Sequence, residues 1–193
     1  MKRVQDHYFK RAKKEGFPAR SVYKLKEAQR RFRLLRSGMK VLDLGASPGS
    51  WTRYASDIVG KDGLVVAVDL HDLKFHGPNT VFMKADSLML DAQKLTEEFG
   101  RFHCVLSDMA PKTTGRRDVD HYRSVELAAA ALNTAMAVLV PDGRFFVKVF
   151  QGADFDLFRK ECMNSFKKVR VFKPRSSRPE SVEIFIYMEE LKT

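Results

Sequence analysis

Two different periods run along the chain. Over the first forty residues the apolar positions Val22, Leu25, Ala28, Phe32 and Leu35 recur three and four apart, with Arg and Lys on the other faces. That spacing predicts amphipathic helix. Pro18 and Ser21 supply an entry and a cap, and Gly38 a stop. From residue 40 onward, short β-branched and aromatic runs alternate with helical ones. The predicted strands are Lys40–Leu44, Leu64–Asp69, Thr80–Lys84, Phe102–Ser107, 144–150, 168–171 and 182–188. Helices are predicted near 50–58, 88–99 and 122–139, and Asp154 caps another that runs to about Phe166. Strands alternating with helices imply an α/β fold, a mostly parallel sheet with helices on both faces. The final strand follows its predecessor closely and is expected to pair with it antiparallel. The expectation is one domain over 1–193, with a short basic helical extension (1–38) and a seven-stranded, doubly wound core (39–193).

Charge sharpens that division. The chain carries 35 Lys+Arg against 24 Asp+Glu, a formal net charge of +11. Residues 1–40 hold 14 of the basic groups against only Asp6, Glu15 and Glu27, so the front carries the whole excess and the rest is neutral. A neutral body with a cationic front points to a polyanionic partner, nucleic acid or an acidic membrane. Hydrophobic residues at 44%, with 15 Phe, exclude a disordered chain. No stretch approaches the ~18 unbroken apolar residues of a membrane helix. The charged start Met1-Lys2-Arg3, with no apolar run after it, argues against a secretory signal. Cys104 and Cys162 form no disulfide framework, which fits a reducing, cytoplasmic location. The five histidines show no ligand spacing with them, so no metal is expected. Nothing requires more than a monomer, and no obligate protein partner is evident.

In a doubly wound sheet, ligands sit outside the carboxyl ends of the strands, so the residues closing each strand are the ones to read. The first strand runs into Asp43-Leu44-Gly45-Ala46-Ser47-Pro48-Gly49-Ser50-Trp51, a small-residue turn that lacks both the Gly-x-Gly-x-x-Gly spacing and a Gly-Lys-Ser/Thr. The second ends on Asp69, placed to accept hydrogen bonds from ribose hydroxyls or to cap a turn. The third is followed by Ala85-Asp86-Ser87, whose acid suits an adenine amino group or a helix N-cap. The fourth ends in Ser107-Asp108-Met109-Ala110-Pro111. Lys148 interrupts Phe145-Phe146-Val147 and Val149-Phe150, where a central parallel strand should be apolar on both faces. A buried lysine needs a partner or a cleft, so Lys148 is a candidate for chemistry.

Gly45-Ala46-Ser47-Pro48-Gly49-Ser50-Trp51, Asp69, Asp86 and Ser107-Asp108-Met109-Ala110-Pro111 resemble the FtsJ/RrmJ-type methyltransferases. The resemblance extends to Ala19-Arg20-Ser21-Val22-Tyr23-Lys24-Leu25, to Phe146-Val147-Lys148-Val149-Phe150 and to Ser177-Arg178-Pro179-Glu180-Ser181, nearly the whole chain. Ser50 stands where the family often has Gly. The resemblance implies a Rossmann-like methyltransferase fold, S-adenosylmethionine as cofactor, and methylation of ribose 2′-hydroxyls in RNA. It implies cofactor contacts at Gly45, Gly49, Trp51, Asp69, Asp86 and Asp108, and a catalytic tetrad of Lys24, Asp108, Lys148 and Glu180. Family members act on large-subunit ribosomal RNA, transfer RNA or messenger RNA caps. The short chain most resembles the ribosomal type, which implies a uridine of large-subunit ribosomal RNA as target.

Methyl transfer to a hydroxyl is an in-line displacement in which positioning supplies much of the rate, helped by a base that takes the hydroxyl proton. Lys148 is the expected base, with Asp108 orienting it and Lys24 and Glu180 holding ribose and lysine in place. Three basic groups, the front, the run Lys167, Lys168, Arg170, Lys173, Arg175 and Arg178, and the loop residues Lys112, Arg116 and Arg117, are expected to flank this edge and follow a phosphate backbone. Two rivals remain at this level: an amine-directed methyltransferase, disfavoured because Ser-Asp-Met-Ala-Pro replaces Asn/Asp-Pro-Pro-Tyr/Phe, and a non-catalytic RNA-binding scaffold.

Overall fold

The computed structural model describes residues 2–192. In chain order the elements are α1 (Lys2–Lys14), α2 (Val22–Phe32), β1 (Lys40–Leu44), α3 (Ser50–Val59), β2 (Leu64–Asp69), β3 (Thr80–Lys84), α4 (Ala92–Phe99), β4 (Phe102–Ser107), α5 (Arg117–Val138), β5 (Leu139–Phe150), α6 (Phe155–Ser165), β6 (Phe166–Phe172) and β7 (Glu183–Leu191). They build one seven-stranded sheet in the order β3-β2-β1-β4-β5-β7-β6. The first five strands pair in parallel, and β7 runs antiparallel to both β5 and β6. The chain winds outward from β1 to β3, then crosses back to β4, so the strand order switches between β1 and β4. Their ends lie side by side, Leu44 opposite Ser107.

Alternation along each strand sorts residues onto two faces. Leu42, Val66, Val105, Phe145, Val147, Ile184 and Ile186 pack with Leu95 of α4, Ala131 and Ala135 of α5, and Phe158 of α6. Val41, Val65, Leu106, Phe146, Phe185 and Tyr187 pack with Leu25 of α2 and with Trp51 and Ala55 of α3. The same parity places two charged side chains on the second face, Asp43 in β1 and Lys148 in β5, both buried.

The basic extension is built into this packing. Val22, Leu25 and Ala28 of α2 are fully buried, and the Trp51 indole N–H donates to the Ser21 carbonyl at 2.9 Å. Here the sequence reading needs correcting. The helix does not continue through Leu35 to Gly38; it ends at Phe32, with Arg33 in the left-handed conformation at φ 52°. Leu34 and Leu35 are buried in an extended segment instead. The Gln29 side chain holds that segment, donating to the Leu35 carbonyl and accepting from its N–H, both at 2.8 Å.

Other boundaries shift for local reasons. The predicted helix at 88–99 starts only at Ala92, because the Asp91 carboxylate caps it by accepting the Gln93 and Lys94 N–H groups. The helix predicted at 122–139 begins a turn earlier, at Arg117. β5 reaches back to Leu139 through an irregularity opposite Phe102 and Cys104.

Leu25→Ala should lower the unfolding free energy by about 3 kcal/mol, the cost of an uncollapsed core cavity, read from the urea midpoint at unchanged slope. A loss below about 1 kcal/mol would show that α2 is not part of the core.

Asp43 supplies a pH signature. The Thr52 hydroxyl donates to its Oδ2 at 2.7 Å, while Oδ1 has no hydrogen-bond partner among the described residues. Burial pushes the carboxyl up to about 7, with the Asp108 and Asp69 charges adding and Thr52 opposing. The folded state therefore holds this proton where the unfolded chain releases it, and its stabilising effect is lost as pH rises from about 4 to about 7. Asp43→Asn removes that dependence. The variant should gain stability over the wild type across this window, with about 4 kcal/mol as the ceiling by linkage, in denaturation series at pH 4 and pH 8. A difference independent of pH would sink the assignment.

Candidate active site

The carboxyl ends of β1, β2, β3 and β4 enclose a cleft of about 410 Å³. Its floor is set by close backbone approach. Gly45 has φ 73°, and a Cβ there would lie 2.7 Å from Met109 Cγ, so no side chain fits between the first turn and the loop after β4. Asp69 closes β2 and fastens that turn: Oδ2 accepts the Ser47 N–H at 2.9 Å and Oδ1 accepts the His71 N–H at 2.8 Å. Asp86 accepts the Leu88 N–H at 2.9 Å.

The walls also carry Leu70 and Leu88, 58% and 50% exposed. Three carboxylates, Asp69, Asp86 and Asp108, line this space, and no Lys or Arg among the described residues does. Apolar flanks between carboxylates suit a flat, apolar-faced ligand that carries hydroxyl and amino donors and positive charge. S-adenosylmethionine, with its adenine, ribose, ammonium and sulfonium, has that character, so the residues present fit it.

Two residues expected at this cleft stand behind it. Trp51 is a core side chain, stacked on Phe146 at 5.8 Å between ring centroids and bonded to Ser21. Gly49 caps α3 at φ 103°, where a Cβ would press on Phe75 at 3.3 Å. Neither is among the lining residues. Both shape the turn rather than the walls.

At the edge of the cleft the buried charges meet. Lys148, 6% exposed, donates from Nζ to the Asp108 carbonyl at 2.6 Å and to Asp108 Oδ1 at 2.9 Å. Lys24 Nζ lies 4.0 Å from the same carboxylate oxygen and donates to Glu183 Oε2 at 2.8 Å. The other Glu183 oxygen accepts the Ser177 hydroxyl at 2.8 Å. Burial works to raise the Asp108 carboxyl, but the neighbouring Lys148 and Lys24 outweigh it and hold the group below the ordinary aspartate value.

The glutamate that joins this charged cluster is Glu183, whereas the sequence pointed to Glu180. Glu180 is exposed in the turn before β7. Glu183 opens β7 opposite Phe150, and Phe185 lies opposite Lys148. Two residues apart in a strand means one face, so Glu183 shares the α2 side with Lys148 while Glu180 precedes the strand. The alternation Glu183-Phe185-Tyr187 was the signal available in the sequence.

The surrounding basic groups divide in the same way. A second cleft of about 380 Å³ next to the tetrad is lined by Arg20, Lys24 and Arg178 together with Glu180 and Glu183. Lys167 and Lys168 do not flank this edge. They sit at the start of β6, beside the far end of β7, and pair with Glu189 and Glu190. β6 runs from that end toward the turn into β7, so its start lies at the end of the sheet away from Lys148 and Glu183. Among the described residues no group of three or more His, Cys, Asp or Glu could hold a metal ion, and no helix is long and apolar enough to cross a membrane.

Comparisons with known proteins agree with this geometry. A relative from Desulfatibacillum aliphaticivorans named ribosomal RNA large subunit methyltransferase E is 49% identical over 184 residues, covering 94% of this chain and 88% of its own. A relative of the same name from Bdellovibrio bacteriovorus is 46% identical over 185 residues, covering 94% of each chain. A solved ribosomal RNA methyltransferase from Plasmodium falciparum shares the fold at TM-score 0.79 and 22% identity, over 91% of this chain and 98% of its own. Fibrillarin from Aeropyrum pernix, solved with S-adenosyl-L-methionine, shares it at TM-score 0.58 and 14% identity, over 80% and 68%. The sequence model of the FtsJ-like methyltransferases matches residues 17–191, a span that takes in the carboxylate-lined cleft and every member of the charged chain beside it. This protein belongs to the FtsJ-like methyltransferase family.

Proposed function

We propose that this methyltransferase modifies a ribose 2′-hydroxyl of RNA, that its substrate is large-subunit ribosomal RNA, and that it works as a cytoplasmic monomer. The observation that carries the reading is the chain Lys148–Asp108–Lys24–Glu183 on the lip of a cleft built for a cationic nucleoside. The relatives named for large-subunit ribosomal RNA, matched over 88% and 94% of their own length, support the choice of substrate.

When bound, S-adenosylmethionine supplies an electrophilic methyl group on a sulfonium. Asp69 and Asp86 would hold its ribose hydroxyls and adenine amino group, and Asp108 would balance its positive charge. Lys148 acts on the attacking hydroxyl. To serve as base the Lys148 ammonium first releases one proton to solvent; its two remaining N–H groups stay on the two Asp108 oxygens and one lone pair is exposed. The lone pair is then free to receive the hydroxyl proton at Nζ. Asp108 fixes the direction of that lone pair. Lys24 and Glu183 present a donor and an acceptor beside it, which positions the target ribose for in-line attack. The second cleft, with Arg20 and Arg178, leads phosphate to this edge.

Undermodified large ribosomal subunits and unmodified transfer RNA, each incubated with the protein and S-adenosylmethionine, should be digested to nucleosides and weighed by mass spectrometry. A 2′-O-methylnucleoside from the subunits alone is the expected product. A base-methylated nucleoside, product from transfer RNA only, or none would overturn the proposal.

The roles are tested by substitution. Lys148→Ala should cut methyl transfer by at least about 100-fold, with cofactor affinity held within about threefold. Glu183→Gln should cost at least about tenfold in kcat while Glu180→Gln stays within about threefold of wild type. The reverse order would restore Glu180 as the fourth residue.

A further inference from the structure

Lys24 and Glu27 lie on the same side of α2, one turn apart. Lys24 reaches the reaction site directly. Glu27 instead grips the chain between β6 and β7: one carboxylate oxygen accepts the Arg175 N–H at 2.7 Å and the other the Ser176 N–H at 2.9 Å. From just before the helix, Arg20 Nη2 donates to the Ser176 carbonyl at 2.7 Å. Three hydrogen bonds from α2 and its lead-in thus hold two consecutive loop residues by their backbone. The next residue is Ser177. Its N–H turns back to the Pro174 carbonyl at 3.1 Å, and its hydroxyl donates to Glu183 Oε1 at 2.8 Å.

The contacts close a ring. It leaves α2 at Glu27, passes through Ser176 and Ser177 to one oxygen of Glu183, and returns from the other oxygen to Lys24 on the same helix. A carboxylate held by one partner keeps a rotational freedom about its last bonds; one held at both oxygens from two directions does not. Ser176 and Ser177 are buried, so the ring is not an exposed surface staple. The loop segment that completes it carries Arg175 and Arg178 on its outer side, both exposed.

We infer that Glu27 and Ser177 are positioning residues for methyl transfer: neither touches a reacting group, and together they fix the orientation of Glu183 and through it of Lys24. This rests on the proposed tetrad. Loss of either leaves all four charged groups present but lets the Glu183 carboxylate turn away. Small misplacements of this kind cost rate far more than binding.

The test is a kinetic cycle on the full chain with undermodified large subunits, at a temperature where every variant is folded by circular dichroism. Ser177→Ala and Glu27→Ala should each lower kcat by about 10- to 100-fold and leave the calorimetric Kd for S-adenosylhomocysteine within about twofold. Ser177→Ala keeps every backbone bond of the loop, so it separates positioning from loss of fold. Glu27→Gln retains one good acceptor and should recover part of the rate. The double variant Glu27→Ala/Ser177→Ala should be no slower than the slower single one, because both act through one carboxylate. Fold-losses that multiply, or single variants with wild-type kcat, would overturn the ring. If Glu183→Gln itself keeps wild-type kcat, the tetrad reading fails instead, and that outcome is read from a different variant.

Discussion

A lysine in the interior of a central strand has to end on a partner, and the Lys148–Asp108 contact is the solution on which the rest of this site depends. Burial strips Lys148 of water, and only a carbonyl and a carboxylate in the right place offset that cost. Both acceptors come from one residue just past the end of β4. They can reach Lys148 because β4 and β5 are parallel neighbours whose register brings Ser107 beside Val147. Lys24 brings a second ammonium group to within 4.0 Å of Asp108, and Glu183 balances it. Asp108 answers by staying below the ordinary aspartate value despite its burial.

Around that pair the molecule separates charge by location. The cofactor cleft at the ends of the first four strands is lined by carboxylates and no basic group among the described residues, whereas the neighbouring cleft between α2 and the turn into β7 mixes Arg20, Lys24 and Arg178 with Glu180 and Glu183. Asp108 and Lys24 stand where the two regions meet. The two clefts therefore open on either side of one buried charge chain. The basic extension belongs to this arrangement as a packed layer of the second sheet face, so α2 carries both basic surface charge and the lysine that joins the Asp108–Glu183 cluster.

Much of this was legible in the residues. The alternation of strand and helix read correctly as a doubly wound sheet, and the small-residue turn after Leu44, the acids closing successive strands and the misfit of Lys148 among aromatics pointed to groups that the fold brings to one end of it. Those signals survive because period and residue type are local. The errors were also local in origin. The apolar stripe through Phe32 and Leu35 reads as helix because a buried extended segment and a buried helical turn draw on the same residues. Trp51 follows the small-residue turn after β1, yet its side chain belongs to the core. Lys167 and Lys168 were grouped with Arg178 by closeness in sequence, although β6 and β7 carry them to opposite ends of the sheet.

The sequence alone determined the chemistry available: a basic front with one lysine off its apolar stripe, an acid after each of three strands, and a lysine where a strand should be apolar. It did so because composition and spacing fix which groups can share a face. Which groups touch was decided only by tertiary structure. Glu183 rather than Glu180 completes the charge chain because pairing with β5 sets the register of β7, and a shift of one residue exchanges the faces of a strand. Glu27 and Ser177, 150 residues apart, meet in one ring because α2 packs against the loop that feeds that strand. No spacing in the chain records such a contact.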